Sequence, residues 1–206
     1  MKRLLNSPLS FFMLLALILS GCASTQLTSA WKDPAYLTHP SKVLVVGVSK
    51  KPMKRRIFED EFVAQLKAHG TDAIASYKVL PDNKQDDQVA IAAKVKELGA
   101  DSVLITRLVS KKTVKVYVPG TPYFPPPYYG NWPEYYDYGY RTMYTPGYMA
   151  EEQYAVIETN LYDAVKDNLI WASTSETEIS GSDQRQIKEY IGIMAKNMVE
   201  HGLLNK

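Results

Sequence analysis

The chain has 206 residues, an apolar content of 46% and charges of both signs, which is typical of one globular domain with a proper core. Its formal net charge of +2 comes from Lys2 and Arg3, the only charged residues among the first 21, so the rest of the chain is formally neutral. This neutrality argues against nucleic acid as a partner, and the single cysteine excludes an internal disulfide framework.

The first 21 residues predict a removable export signal. Lys2 and Arg3 precede an apolar run over 9–19. As a helix this run would rise about 16 Å, which is short of the roughly 30 Å hydrocarbon core of a bilayer. The segment therefore predicts a signal peptide over 1–21 and not a permanent membrane span.

The lone cysteine follows this segment directly. Leu19-Ser20-Gly21-Cys22 resembles the bacterial lipobox at all four positions. The resemblance implies cleavage after Gly21 and acyl chains on Cys22, which would hold the protein on a membrane almost irreversibly. Ala23 stands where an Asp usually retains Gram-negative lipoproteins in the inner membrane, which implies the outer membrane with the domain facing the periplasm. The alternative is an ordinary secretory signal followed by a chance cysteine.

Beyond the cysteine, small polar residues predict a flexible tether over 22–30 and a single α/β domain over 31–206. The β-branched run at 43–48 predicts a strand buried on both faces. Residues 53–69 show helical spacing of large apolar side chains and end at Gly70, a natural residue to follow a helix.

The next elements continue this alternation. We predict a short strand over 73–77, a helix capped by Asp86 or Asp87 and ended by Gly99, and a strand over 102–109. The order β-α-β-α-β favours right-handed crossovers and a parallel sheet.

The second half of the chain predicts antiparallel strands. Apolar and polar residues alternate over 113–118, and two further strands, 154–163 and 169–179, are joined by a turn over 166–168. A last helix is predicted to begin near Ser182 and to run toward Gly202. The predicted fold is an α/β sandwich with a mixed sheet of five to six strands in the order β-α-β-α-β-β-β-β-α, with the helices packed on the sheet.

A Tyr- and Pro-rich insertion over 119–150 interrupts this pattern. It holds nine of the 15 tyrosines and seven of the 12 prolines. Because proline fixes φ and removes a donor, the insertion predicts neither a helix nor a strand ladder. Exposed aromatic rings favour recognition of an envelope protein or a glycan, whereas the alternative is that they fold back to cover the sheet. The candidate interaction residues are Tyr128, Tyr129, Trp132, Tyr135 and Tyr136.

A basic segment lies between the first strand and the first helix, where free N–H groups favour anions. We predict that it either binds phosphate groups such as lipid headgroups or forms a solvated charged turn. Its members are Lys50, Lys51, Lys54, Arg55 and Arg56. The acidic run over 59–61 predicts a solvated helix face.

The sequence supports no enzyme class. His39, His69 and His201 lack metal-ligand spacing, and no nucleophile-elbow, Walker A or dinucleotide-binding motif occurs. We therefore expect no catalytic residue, no metal and no cofactor.

Four stretches are similar to uncharacterised lipoproteins of Proteobacteria, and together they span most of the chain after the signal. They are Trp31-Lys32-Asp33-Pro34 and residues 43–49, 55–62 and 158–163. The order of elements also resembles the N-terminal domain of the translocation protein TolB and curli-secretion-type lipoproteins. These resemblances imply a shared fold and no particular activity.

The sequence predicts a non-catalytic envelope lipoprotein with a tyrosine-rich interaction loop. One alternative is a structural or assembly component that acts by sheet-edge pairing or by oligomerisation. A second is an enzyme of unrecognised type.

Overall fold

The computed structural model describes residues 25–122, 131–180 and 182–206. These residues form a six-stranded mixed sheet and four α-helices, which confirms the predicted fold class. The strands are β1 (Thr25–Lys32), β2 (Lys42–Val48), β3 (Asp72–Ala75), β4 (Ser102–Val118), β5 (Tyr148–Asp163) and β6 (Asn168–Glu178). The α-helices are α1 (Pro52–Ala68), α2 (Gln88–Leu98), α3 (Trp132–Arg141) and α4 (Asp183–Glu200), and two short 3₁₀-helices span Ser76–Lys78 and Asp82–Lys84.

The sheet is parallel in one half and antiparallel in the other, in the spatial order β1-β6-β5-β4-β2-β3. As predicted, β2 pairs in parallel with β3 and β4. β5 and β6 form the predicted antiparallel hairpin, and Asp167 in its turn has a positive φ of 54°. β1 then pairs antiparallel with β6 and forms one edge of the sheet.

The main hydrophobic core lies where α1 and α4 pack against one face of the sheet. Val43, Leu104 and Trp171 point to this face and are fully buried. The helices contribute Phe62, which lies in the predicted apolar spacing of residues 53–69, and Met194 of α4. Trp171 also donates a hydrogen bond from Nε1 to Oδ1 of Asn197 on α4, at 3.2 Å.

A smaller core lies on the opposite face, under α2. Asp87 caps this helix as predicted, because its Oδ1 accepts a hydrogen bond from the backbone N–H of Ala90 at 3.0 Å. Val95 packs against Leu44 and Val46 of β2. This core is built on the parallel half of the sheet. Because the main core covers the other face of β2, this strand is packed on both faces.

A carboxylate ties the start of β2 to the loop before β4. Asp101 Oδ2 accepts a hydrogen bond from the backbone N–H of Ser41 at 2.9 Å, and its Oδ1 accepts one from the N–H of Lys42 at 3.2 Å. Partial burial acts to raise the pKa of Asp101, but these hydrogen bonds outweigh it and hold the pKa below its usual value.

Within the predicted tether over 22–30, residues 25–30 are not a flexible linker, because they belong to β1, and residues 22–24 lie outside the described residues. Thr25 is buried, and its hydroxyl lies 2.9 Å from the hydroxyl of Thr177 in β6. The strand is polar because it lies at a sheet edge, where backbone pairing with β6 replaces apolar burial as the main source of order. Residues 25–30 therefore belong to the folded domain together with the residues that follow them.

Two other predictions about strands differ from the structure. The strands predicted over 102–109 and 113–118 are one continuous strand, β4, which pairs with β5 along its whole length. β5 begins at Tyr148, six residues before the predicted start. The polar stretch in the middle of β4 predicts an interruption between two strands because its side chains are suited to solvent. Its side chains are exposed, but its backbone remains paired with β5.

The insertion also contains a helix, α3, which the prediction excluded. Its only proline lies in the first turn, where no N–H donor is lost. Asn131 caps the helix by accepting a hydrogen bond from the backbone N–H of Glu134 at 3.1 Å.

Candidate functional site

A long two-stranded ribbon leaves the sheet at one end. β2 pairs with β4 only as far as Arg107, and β6 pairs with β5 only from Tyr154 onward. Among the described residues, 113–118 and 148–153 therefore pair as strands only with each other, and this ribbon extends about 20 Å. We call the ribbon together with α3 the aromatic arm.

Exposed aromatic side chains concentrate on the arm. Trp132, Tyr136 and Tyr140 follow one another at intervals of four residues on α3, with exposed fractions of 78%, 60% and 63%. The rings of Tyr136 and Tyr140 lie 5.1 Å apart. Among the candidate interaction residues, Trp132, Tyr135 and Tyr136 lie on this exposed helix, and Tyr128 and Tyr129 lie outside the described residues.

Two glycines allow the ribbon to close near α3. A Cβ atom at Gly147 would overlap the phenol of Tyr117 on the facing strand. A Cβ atom at Gly120 would lie 2.7 Å from the backbone nitrogen of Gly147. The pairing continues past them, since the N–H of Thr121 donates to the carbonyl oxygen of Thr145 at 3.0 Å. The arm therefore has a defined backbone although most of its side chains are exposed.

The structure divides the predicted basic segment. Lys50 and Lys51 are exposed and have no ion-pair partner within the described residues. Nζ of Lys54 lies 2.7 Å from a carboxylate oxygen of Asp183 on α4. Arg56 is exposed and lies 3.4 Å from Asp82.

Arg55 does not belong to an exposed anion patch. Its side chain is 1% exposed, and its Nε donates to Oε1 of Glu59 at 2.9 Å. Nη2 donates to the hydroxyl of Ser76 at 2.8 Å, and Nη1 lies 3.2 Å from Asp82. A buried guanidinium requires such partners, which a pattern of basic residues in the sequence does not reveal.

Glu59 is likewise buried, so the predicted solvated face over 59–61 is corrected at this residue. Besides Arg55, its carboxylate accepts hydrogen bonds from the N–H of Gly47 at 2.9 Å, the hydroxyl of Ser76 at 2.7 Å and the N–H of Tyr77 at 2.8 Å. This network fixes α1 to the end of β2 and to the chain after β3.

A cavity of about 240 Å³ lies at the root of the arm, between α1, α4 and the sheet. Most of its wall is apolar. The apolar residues that line it include Phe58, Leu108, Ile157, Ile179, Ile187 and the ring of Tyr190. Among the charged lining residues, Lys54, Lys111 and Asp183 have exposed side chains and therefore stand at the rim.

Hydroxyl groups at the inner end of the cavity are hydrogen-bonded to one another. Oγ1 of Thr106 lies 2.7 Å from Oγ1 of Thr159, which is hydrogen-bonded in turn to the phenol of Tyr190. Burial raises the pKa of Tyr190 well above its usual value, against the opposing effect of these hydrogen bonds. The phenol therefore stays protonated at any physiological pH.

The remaining titratable candidates occupy structural positions. Nδ1 of His69 lies 2.7 Å from the carbonyl oxygen of Asn205, and Nδ1 of His201 lies 2.9 Å from the carbonyl oxygen of Asn197. In residues 25–122, 131–180 and 182–206, no group of three or more His, Cys, Asp or Glu side chains could hold a metal ion. No helix in the same ranges is long and apolar enough to span a membrane.

These features define a mixed-sheet α/β protein with a projecting aromatic arm and a cavity at its root. No family model matches the chain, and no curated protein matches it in sequence. Among solved structures it is similar to the PelC dodecamer from Paraburkholderia phytofirmans, with 12% identity, a TM-score of 0.46 and coverage of 83% of this chain and 95% of that one. It is also similar to lipoprotein GNA1162 from Neisseria meningitidis, with 15% identity, a TM-score of 0.42 and coverage of 79% and 97%.

Proposed function

We propose that this chain is a lipid-anchored protein of the bacterial envelope and a non-catalytic binding module. Cys22 would carry the lipid, and the outer membrane, with the domain on the periplasmic side, would be its location. The aromatic arm would hold another envelope component, either a protein or a glycan.

The observation that carries the binding role is the exposure of the arm. A two-stranded ribbon is marginally stable alone in water, and this one extends past β2 and β6. Tyr and Trp side chains bury about 150–250 Å² each and dominate recognition hot spots. A partner that covered Trp132, Tyr136 and Tyr140 would therefore bury roughly 500 Å² of aromatic surface and stabilise the ribbon at the same time.

Photocrosslinking in cells tests the binding role. A photoreactive amino acid would replace Tyr136 or Tyr140 in the full-length exported chain. The matched control is Val165, which is 84% exposed in the β5–β6 turn at the opposite end of the sheet. Adducts at the two arm positions that are absent at Val165 would support the proposal, and mass spectrometry would then distinguish a protein from a glycan. Equal labelling at all three positions, or none on the arm, would contradict it.

The membrane anchor is tested separately. We expect the wild-type chain to incorporate labelled fatty acid and to sediment with outer membranes, and Cys22→Ala to lose both properties. A Cys22→Ala chain that still incorporated the label would refute lipidation at this residue. It would leave the binding role of the arm unaffected.

A second candidate function is assembly through the sheet edge, and the exposed edge of β1 is the observation that favours it. Among the described residues this strand pairs on one side only, with β6. However, the register shifts between Leu27 and Ser29, and such a bulge disrupts the flat edge that strand addition requires. Native mass spectrometry that showed a stable oligomer lost on Gln26→Pro would favour this role over the arm.

A further inference from the structure

The cavity at the root of the arm has an apolar interior whose polar groups are already satisfied. Arg55 is paired with Glu59, Thr106 with Thr159, and the hydroxyl of Thr177 with that of Thr25. A sugar or a nucleotide needs unpaired donors and acceptors in the wall, whereas an alkyl chain needs none. An enclosed apolar cavity of about 150 Å³ already suffices to bind benzene, and this one, which opens to solvent at its rim, is larger.

The rim of the cavity is positive. Lys111 on β4 lines the opening, is exposed and has no ion-pair partner within the described residues. Of the other cationic lining side chains, Lys54 is paired with Asp183, and Arg107 lies 2.6 Å from Glu158. Lys111 is thus the rim cation that has no counter-charge among the described residues.

One helix N-terminus adds to this field. α1 starts beside the cavity without a side-chain cap and without an acidic residue in its first turn, and Lys50 and Lys51 directly precede it. The N-terminus of α4 is different, because Asp183 in its first turn already supplies a negative charge and pairs with Lys54. Cations next to the positive end of a helix dipole are unfavourable unless an anion is present.

We propose that this cavity binds one alkyl chain of an anionic amphiphile. The chain would lie between Phe58, Ile157 and Ile187, and the carboxylate or phosphate headgroup would contact Lys111 at the rim. A free fatty acid and a single-chain anionic phospholipid share this chemistry. The site is distinct from the aromatic surface of α3 and does not depend on lipidation of Cys22.

The protein used is the chain beginning at residue 22, with Cys22→Ser. Laurate binding is measured below the micellar concentration of laurate, as displacement of a bound dansyl-labelled fatty acid. We expect dodecanol, which has the same chain length without the charge, to bind more weakly than laurate. Lys111→Gln should weaken laurate binding about five- to ten-fold, because one charge-assisted contact is lost, and should leave dodecanol binding unchanged. The matched control is Lys115→Gln, four residues further along the same strand, which should leave both ligands unaffected.

The position of the alkyl chain is tested by filling the cavity from two walls. Ala155→Phe on β5 and Ile187→Phe on α4 should each abolish binding of both ligands, with near-ultraviolet circular dichroism confirming that each variant is folded. Three results would each overturn the proposal. They are ligand binding by a folded variant whose cavity is filled, equal laurate affinity in Lys111→Gln and wild type, and no laurate binding by the wild type. A parallel titration with lysophosphatidylglycerol identifies the source of the ligand. Tighter binding of laurate would indicate a free fatty acid, and tighter binding of lysophosphatidylglycerol would indicate a membrane lipid.

Discussion

Replacing Glu59 with Gln tests whether the buried carboxylate network holds α1 in place. The carboxylate accepts four hydrogen bonds, three at Oε1 and one, from the N–H of Tyr77, at Oε2. A Gln amide must place its NH₂ group against at least one of these donors. Among the described residues it also leaves Arg55 with Asp82 as its sole counter-charge, at 3.2 Å and with a side chain that is 42% exposed.

Breaking a buried ion pair on one side typically costs about 3–5 kcal/mol. Because Asp82 retains part of the compensation, we expect a loss near the lower end, about 3 kcal/mol, which lowers the Tm by roughly 6–12 °C. Urea unfolding of the chain from residue 22 with Cys22→Ser, followed by circular dichroism, measures this loss. Glu61→Gln on the same helix is the control. It should change stability by less than about 0.5 kcal/mol, because within the described part of the chain Glu61 accepts a single 3.3 Å hydrogen bond, from Gln65. A Glu59→Gln variant as stable as Glu61→Gln would refute a structural role for the network.

Three further predictions follow from individual contacts. Gly147→Ala should open the arm and increase its proteolysis without lowering the stability of the domain, and adding Tyr117→Ala should reverse the effect because it removes the overlapping phenol. Asp101→Asn should lower the free energy of unfolding at pH 7. The difference in this free energy from wild type should shrink as the pH falls below about 4, because a carboxyl whose pKa is lowered on folding no longer stabilises the fold once it is protonated. Persistence of the full difference at pH 2.5 would disprove this linkage. Trp171→Phe should cost about 1–3 kcal/mol in urea unfolding, because it leaves Oδ1 of Asn197 buried without its donor, and a loss below 0.5 kcal/mol would show that this bond contributes little.

The parallel half of the sheet was predictable because its signals are local and agree with one another. The β-branched run at 43–48 could be satisfied only by a strand buried on both faces, and the structure buries Val43 to Val46. Asp87 and Gly99 mark the ends of α2 by chemistry that operates within a few residues. Where capping, periodicity and turn residues coincide, few alternative assignments of helices and strands fit the sequence.

β1 and the buried ion pair were not predictable for the opposite reason, since their stability comes from distant residues. Thr25 is ordered by Thr177, 152 positions away, and nothing in its own neighbourhood distinguishes it from a linker. Arg55 and Glu59 look like surface charges on a helix. Only the approach of Ser76 and of the N–H of Gly47 makes their burial favourable. Of the candidate site, the aromatic insertion was visible in the composition, whereas the cavity depends on how two helices and four strands meet.

The end of the sheet that carries the arm also carries Thr25, which follows Cys22 by three positions in the chain. Thr25 begins β1 beside Thr177, a residue of the cavity wall, and three residues of chain reach at most about 11 Å. An anchor at Cys22 would therefore hold the cavity close to the headgroups, where anionic amphiphiles are concentrated. Leu108, Lys111 and Ala155 belong to the cavity wall and also to the strands that continue into the arm, and the β4–β5 register shifts between Leu108 and Ser110 at this root. A bulge sets the direction of the strands beyond it. An alkyl chain packed against these residues would therefore make the root of the arm more rigid. It would thereby fix the direction in which the arm presents Trp132, Tyr136 and Tyr140.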